Sequence, residues 1–207
     1  MKLVVCVEGY TEKRVIPSLL KRWLDTRLTQ PIGVQIDRSE GWRELWDDLP
    51  KKARMYLNGP RESEIVGIVG LMDLYGPTIY PGGVTTATDR AAWAKSEIEG
   101  RVSDVRFRMF FAVHELEAWL LSDPTLFAGG VKRAIAGDKR APEAINFDES
   151  PSKLLQRLFS QEGRYYKKVV DGGNLFARLN PDTVYRKCPH FQRMMDELLN
   201  LAKQAGL

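Results

Sequence analysis

The chain has 207 residues, of which 43% are hydrophobic and 28% are charged. This composition is typical of a soluble globular protein and excludes a disordered or fibrous one. The sequence contains no apolar run that approaches the roughly 18 residues of a membrane-spanning helix, and it opens on a strand pattern rather than a basic targeting segment. We therefore expect a cytoplasmic protein with no membrane partner.

The formal net charge is +4, and the positive excess lies in the last third of the chain. Residues 1–130 carry 17 Lys and Arg against 18 Asp and Glu, whereas residues 131–207 carry 14 against 9. A nearly neutral part followed by a basic part is typical of a protein that binds a polyanion. A solvated helical surface rich in lysine would have the same composition, so this alternative stays open.

Short apolar runs alternate with helical periodicities along the first 113 residues. The runs predict strands at residues 3–7, 33–37, 65–72 and 107–113. The periodicities predict helices at residues 11–28, 42–56 and 88–102. This alternation predicts an α/β fold in which a parallel four-stranded sheet is flanked by helices.

After residue 123 the pattern changes to short helices without a convincing strand. We predict helices at residues 151–159, 165–170, 174–179 and 190–203, with a loop at residues 137–151. The sequence therefore predicts an α/β core at residues 1–123 and a C-terminal helical appendage, packed on that core, at residues 124–207.

Acidic residues follow three of the predicted strands. Glu8 comes directly after the first strand, Asp73 ends the third, and Glu115 and Glu117 follow the fourth. The carboxyl ends of parallel strands share one edge of a sheet, and ligands bind in the crevice there. Two unit charges about 4 Å apart repel by roughly 4 kcal/mol at an effective dielectric constant of about 20, so a proton or a cation must offset the repulsion. Carboxylate oxygens favour Mg²⁺ or Mn²⁺.

The sequence VEGYTE (residues 7–12) and the sequence MDLYG (residues 72–76) resemble the Toprim domain of topoisomerases, bacterial primases and OLD-type nucleases. With HELEAWLLSD (residues 114–123) and KCPHFQRMMDEL (residues 187–198), the chain is similar to small stand-alone Toprim-like proteins that occur near ATPase genes in phage-defence loci. The resemblance implies that Glu8 is a metal ligand or general acid/base and that Asp73 holds a divalent metal. Toprim domains usually carry Asp-x-Asp at the second motif, and here Tyr75 replaces the second Asp.

The resemblance to OLD-type nucleases implies further acids in the site. Glu12, four residues after Glu8, and Glu115 or Glu117 match these places. Because Glu115 and Glu117 are two residues apart, they share a face only in an extended segment, and we expect Glu115 to be the ligand of the two. In a two-metal arrangement, Glu8 and Asp73 would hold one ion, Glu115 with Glu117 the other, and Glu12 would bridge or act beside them.

The basic residues predict contacts with nucleic acid. In GRYYKK (residues 163–168) two tyrosines stand among cations, and rings that stack on bases beside cations that meet phosphates suit a nucleic-acid strand. Packing of both tyrosines within a helix is the alternative. We predict that Lys167 is catalytic and steadies the transition-state charge. The predicted nucleic-acid contacts are Lys153, Lys167, Lys168 and Arg186.

These features predict a metal-dependent endonuclease that acts on DNA in preference to RNA, in a defence or DNA-processing system with a separate ATPase. The alternative is a catalytically silent Toprim-like binding or regulatory module, which Tyr75 favours. A zinc protease is excluded, since the second His of HExxH would stand at Ala118. A nucleotide-binding P-loop and a dinucleotide fingerprint are also absent from the sequence.

Overall fold

Four parallel strands form the centre of the molecule. The structure is a computed structural model that describes residues 1–138, 141–144 and 149–207. The strands are joined in the order β2-β1-β3-β4, and all neighbouring pairs are parallel. Their bounds are β1 Lys2–Val7, β2 Gly33–Arg38, β3 Ile65–Asp73 and β4 Phe107–Ala112. The predicted α/β class and the parallel four-stranded sheet are confirmed, and the arrangement is consistent with a Toprim-like fold.

Three helices connect the strands and cover both faces of the sheet. They are α1 Tyr10–Leu24, α2 Trp42–Leu57 and α3 Ala87–Val102. Because side chains alternate along a strand, Leu3 and Val5 of β1 pack on the face that carries α1, whereas Val4 and Cys6 pack on the face that carries α2 and α3. Both faces are therefore buried, as the continuous apolar runs predicted.

The C-terminal half is helical. Its helices are α4 Glu117–Leu120, α5 Gly129–Gly137, α6 Pro151–Gln161, α7 Gly173–Arg178, α8 Pro181–Lys187 and α9 Pro189–Gln204. Helix α8 was not predicted, although Asn180 accepts a hydrogen bond from the Asp182 N–H and Pro181 occupies the first turn, which are ordinary start signals. The helix predicted at residues 165–170 is wrong, since residues 164–167 form neither helix nor strand and a π-helical turn follows at Lys168–Gly172. Parts of the loop predicted at residues 137–151, namely 139–140 and 145–148, lie outside the described residues.

Helix α9 packs on the sheet beside α1. Its apolar stripe, which includes Phe191, Leu198 and Leu201, joins the same hydrophobic core as Leu3 and Val5. Gly67 of β3 allows this close approach, because a Cβ there would stand 3.2 Å from Leu201 Cδ1. The C-terminal helices thus complete the core on the α1 face. Within the described part of the chain, no helix is long and apolar enough to cross a membrane.

Candidate functional site

The candidate site lies where β1 and β3 end side by side. The chain leaves β1 through α1 on one face of the sheet and leaves β3 through α3 on the other, which makes this point the topological switch where open α/β sheets bind ligands. Glu8 follows β1 directly, and its Oε1 accepts a hydrogen bond of 2.6 Å from the backbone N–H of Asp73. The two acids most important to the sequence prediction are therefore adjacent.

The loop after β4 adds two more carboxylates. His114 has a left-handed backbone (φ 66°), which turns the chain away from the strand direction, and its carbonyl accepts a 2.9 Å hydrogen bond from the Tyr75 N–H. Glu117 then begins α4 and is completely buried. Glu115 is partly exposed, and its Oε2 accepts a 2.9 Å hydrogen bond from the Ser152 N–H at the start of α6.

Glu12 completes the group from the first turn of α1. Its side chain is 7% exposed, and it interacts electrostatically with Glu8, Asp73 and Lys168. Gly9 leaves room for it, since a Cβ at Gly9 would stand 3.0 Å from Glu12 Oε2. We refer to the five carboxylates as the acid cluster. Its members are Glu8, Glu12, Asp73, Glu115 and Glu117.

Lys168 provides positive charge inside the acid cluster. Its Nζ lies 3.3 Å from Glu117 Oε2, while Tyr166 Oη donates a 3.4 Å hydrogen bond to Glu117 Oε1. Burial alternates along residues 165–168: Tyr166 is buried and Lys168 is partly buried against Glu117, whereas Tyr165 and Lys167 are exposed. Lys168, and not the neighbouring Lys167, is therefore the lysine that lies beside these carboxylates. The catalytic role predicted for Lys167 was based on the mixture of cations and tyrosines in residues 163–168, which does not distinguish the two lysines.

Burial and mutual repulsion disfavour ionised carboxylates in the acid cluster. Burial raises the pKa of Glu8 to about 7, and the charge of Glu12 adds to this effect, while the Asp73 N–H and Lys168 oppose it. Burial and then the charge of Glu8 hold the pKa of Asp73 well above its usual range. Burial also raises the pKa of Glu117, against the attraction of Lys168.

The ammonium of Lys168 responds in the opposite way. Burial opposes its charge, yet the carboxylates of Glu117, Asp73 and Glu115 outweigh burial and raise its pKa. Lys168 is therefore fully protonated at neutral pH. If the five carboxylates of the acid cluster were all ionised, four negative charges would remain after pairing with this ammonium.

The acid cluster fits a divalent cation by donor type and by charge. Carboxylate oxygens are the ligands that Mg²⁺ and Mn²⁺ prefer, and the fully ionised acid cluster carries more negative charge than Lys168 balances. Across residues 1–138, 141–144 and 149–207, however, no three His, Cys, Asp or Glu side chains form a group that could hold a metal ion as they now stand. The present arrangement accommodates the Lys168 ammonium, and side-chain rearrangement would have to accompany metal binding.

Comparison with known proteins adds a family. The family model described as Domain of unknown function (DUF4276) matches residues 7–199. The chain belongs to this family. The match spans every member of the acid cluster and also Lys168, so the site of this DUF4276 chain lies wholly within the family domain. Neither the curated proteins nor the solved structures contain a match to the chain.

The remaining predicted nucleic-acid contacts of the DUF4276 chain lie outside the acid cluster. Lys153 is exposed on α6 and lines a cavity together with Tyr165 and Tyr166. Lys167 is exposed, and its backbone N–H donates a 2.6 Å hydrogen bond to Asp171. Arg186 is exposed on α8, where its described contact is with Thr183, and no described contact connects it to the acids. The structure thus brings Lys153 and Lys168 to one region and leaves Arg186 apart.

Sequence reasoning missed the role of two residues beside the site. Tyr166 is 2% exposed and contacts Glu117, so it is a buried partner of the acid cluster rather than a residue on a helix surface. Glu117, ranked below Glu115 from the sequence, is the more buried of the two. The mixture of tyrosines and lysines in residues 163–168 was a signal, but it does not distinguish Tyr166 from Tyr165 or Lys168 from Lys167.

Proposed function

We propose that this protein is a divalent-metal-dependent nuclease that cleaves nucleic-acid phosphodiesters, with DNA preferred over RNA. The observation that carries the proposal is the acid cluster, in which carboxylates from three strand ends and from α1 converge at the switch point of a parallel sheet. Burial and repulsion disfavour the ionised form of these carboxyls, and a bound divalent cation would stabilise that form beyond what Lys168 does.

In this proposal Glu8 and Asp73 bind Mg²⁺ or Mn²⁺, with Glu117 and Glu115 as further ligands. When bound, the cation would activate water and neutralise phosphate charge, which are the demands of phosphodiester hydrolysis. Glu12, buried beside Glu8, is placed to orient the attacking water. Lys168, held by Glu117 at 3.3 Å, directs positive charge to the place where the phosphate would gain negative charge.

Charge beyond the acid cluster supports a nucleic-acid substrate. The last third of the chain has a surplus of basic residues, and Lys153 and Lys167 are exposed on the same part of the structure as Tyr165. The resemblance to stand-alone Toprim-like proteins supports a cytoplasmic setting, a defence or DNA-processing role and a separate ATPase partner. These last three statements depend on that resemblance alone.

A second candidate is a catalytically silent Toprim-like module that binds nucleic acid or a protein without cutting. It is favoured by Tyr75 in place of the second Asp of the Toprim motif and by Lys168, whose ammonium already neutralises part of the acid cluster. Metal binding separates the two candidates, because an acid cluster that stays empty in saturating Mn²⁺ favours the silent module.

The test is cleavage of supercoiled plasmid in Mg²⁺ and in Mn²⁺. We expect the wild-type protein to nick or linearise the plasmid, and we expect Glu8→Gln and Asp73→Asn to abolish cutting. Matched controls are Glu97→Gln and Asp47→Asn, both at exposed helix positions away from the site, which should cut like wild type. Cleavage that persists in both Glu8→Gln and Asp73→Asn would refute the assigned site.

A further inference from the structure

A cavity of about 260 Å³ lies between α6 and the segment that carries Tyr165 and Tyr166. We call it the tyrosine pocket. It borders the acid cluster through Tyr166, which contributes to the pocket wall and also donates its hydroxyl to Glu117. The residues that line the tyrosine pocket are Lys153, Gln156, Arg157, Ser160, Tyr165 and Tyr166.

Tyr165 is the feature that needs an explanation. Its side chain is 79% exposed, although the neighbouring Tyr166 is buried. Another exposed tyrosine, Tyr10 at 64%, is covered by the Arg38 guanidinium at 4.1 Å from its ring centroid. The Tyr165 ring instead presents a flat aromatic surface to solvent at the wall of the tyrosine pocket. Exposure of so large a ring at the edge of a cavity is typical of a stacking surface.

The other groups of the tyrosine pocket match the parts of a nucleotide. The exposed ammonium of Lys153 suits a phosphate, and the exposed amide of Gln156 can donate to and accept from the edge of a base. Arg157 forms a two-pronged ion pair with Glu149, at 2.8 and 2.9 Å, which holds the wall of the pocket in place. An aromatic face, a cation and an amide together describe a nucleotide site.

Base stacking on Tyr165 requires an unpaired base. In a duplex both faces of each base are covered by its neighbours, so a protein ring reaches a base face only at a single strand, a frayed end or a flipped nucleotide. Tyr165 and Tyr166 are consecutive, and Tyr166 reaches the acid cluster. A base on Tyr165 would therefore be held on the same segment that contacts the acid cluster through Tyr166.

We infer that the tyrosine pocket binds an unpaired base and that the substrate is a single-stranded nucleic acid or an unpaired end. Tyr165 is the stacking platform, Lys153 contacts a phosphate, and Gln156 contacts the base edge. The inference rests on the proposed function, because phosphodiester cleavage is the reason to hold a strand beside the acid cluster.

The test is fluorescence anisotropy in EDTA, so that no strand is cut. The probes are a labelled single strand of mixed sequence, its duplex, and the same single strand with abasic sites. We expect the wild-type protein to bind the single strand more tightly than the duplex. We expect Tyr165→Ala to weaken single-strand binding about tenfold, which corresponds to about 1.4 kcal/mol, and Tyr165→Phe to retain it. On the abasic strand, wild type and Tyr165→Ala should bind alike.

A surface control comes from Val105, which is 83% exposed and precedes β4 at the opposite edge of the sheet, so Val105→Ala should leave binding unchanged. Equal affinity for single strand and duplex, or unchanged binding by Tyr165→Ala, would overturn the inference. Cutting is measured separately in Mg²⁺ and Mn²⁺. If binding depends on Tyr165 but no strand is cut, the proposed nuclease activity is refuted and the base site stands. If wild type and Tyr165→Ala cut duplex and single strand equally well, the nuclease activity stands and the base site is refuted.

Discussion

Replacing Lys168 with Met removes the positive charge that the acid cluster now contains while keeping an unbranched apolar side chain. The Lys168 Nζ and Glu117 Oε2 are 3.3 Å apart, and Coulomb's law at an effective dielectric constant of about 20 gives roughly 5 kcal/mol for the pair. The Lys168 side chain is 36% exposed, so solvent screens the pair, and both groups lose hydration on folding. We therefore expect Lys168→Met to lower the free energy of unfolding by about 2 kcal/mol at pH 8 without metal.

The loss should depend on pH in a defined direction. Without Lys168, the pKa of Glu117 in the folded protein rises further above its value in the unfolded chain, since burial already raises it. A carboxyl with a raised folded pKa contributes stability at low pH and loses it as the pH rises through that pKa. The deficit of Lys168→Met relative to wild type should therefore be small near pH 5 and largest near pH 8. Urea denaturation across this range measures it.

Lys167→Met is the matched control, because Lys167 is the adjacent lysine and faces solvent. We expect it to change the free energy of unfolding by less than about 0.5 kcal/mol at every pH. Equal effects of the two substitutions at pH 8, or a Lys168→Met protein as stable as wild type there, would refute the assignment of Lys168 as the internal counter-charge.

Three further predictions concern the metal, the carboxylates and the core. Mn²⁺ at a hundred times its Kd should stabilise the wild-type protein by about 2.7 kcal/mol, which calorimetry detects as a higher melting temperature. The Glu8→Gln/Asp73→Asn double variant should show no rise in melting temperature, and an equal rise in both proteins would contradict the site. In EDTA the stability of the wild-type protein should fall by about 2 kcal/mol from pH 5 to pH 8, because the pKa of Glu8 is raised from 4.5 to about 7 on folding, and Glu8→Gln should flatten this curve in urea titrations. Gly70→Ala should cost about 1–3 kcal/mol, since its Cβ would stand 2.5 Å from Met109 Sδ, whereas Gly82→Ala, with open space around it, should be nearly neutral in the same denaturation assay.

Local patterns predicted the sheet and its connecting helices well. The apolar runs that became β1 and β3 are bounded by polar residues, and the stripe on α1 repeats at helical spacing, so neighbouring residues carry the signal. The failure at residues 165–170 has a physical cause. Tyr166 is buried in the core, where its hydroxyl contacts Glu117, a residue 49 positions away in the chain. Such long-range contacts outweigh the helix propensity of the local sequence.

The meeting of Glu8 and Asp73 could be predicted because parallel strands place their carboxyl ends at one edge, whatever the order of the strands. The sequence favoured Glu115 over Glu117, but it did not reveal the left-handed turn at His114, after which Glu117 is completely buried and Glu115 is partly exposed. The ion pair between Lys168 and Glu117 also could not be predicted, because Lys168 lies about fifty residues further along the chain.

The class of fold, the boundaries of the strands and the edge where the acids gather follow from periodicity and composition, which depend on residues close together in the chain. The placement of the Lys168 ammonium beside Glu117 and the contact of Tyr166 with Glu117 depend on the path of residues 164–168. That path is set by the packing of α6 and α7 on the core. The contacts that stabilise it join residues far apart in sequence, and local sequence patterns carry no information about such contacts.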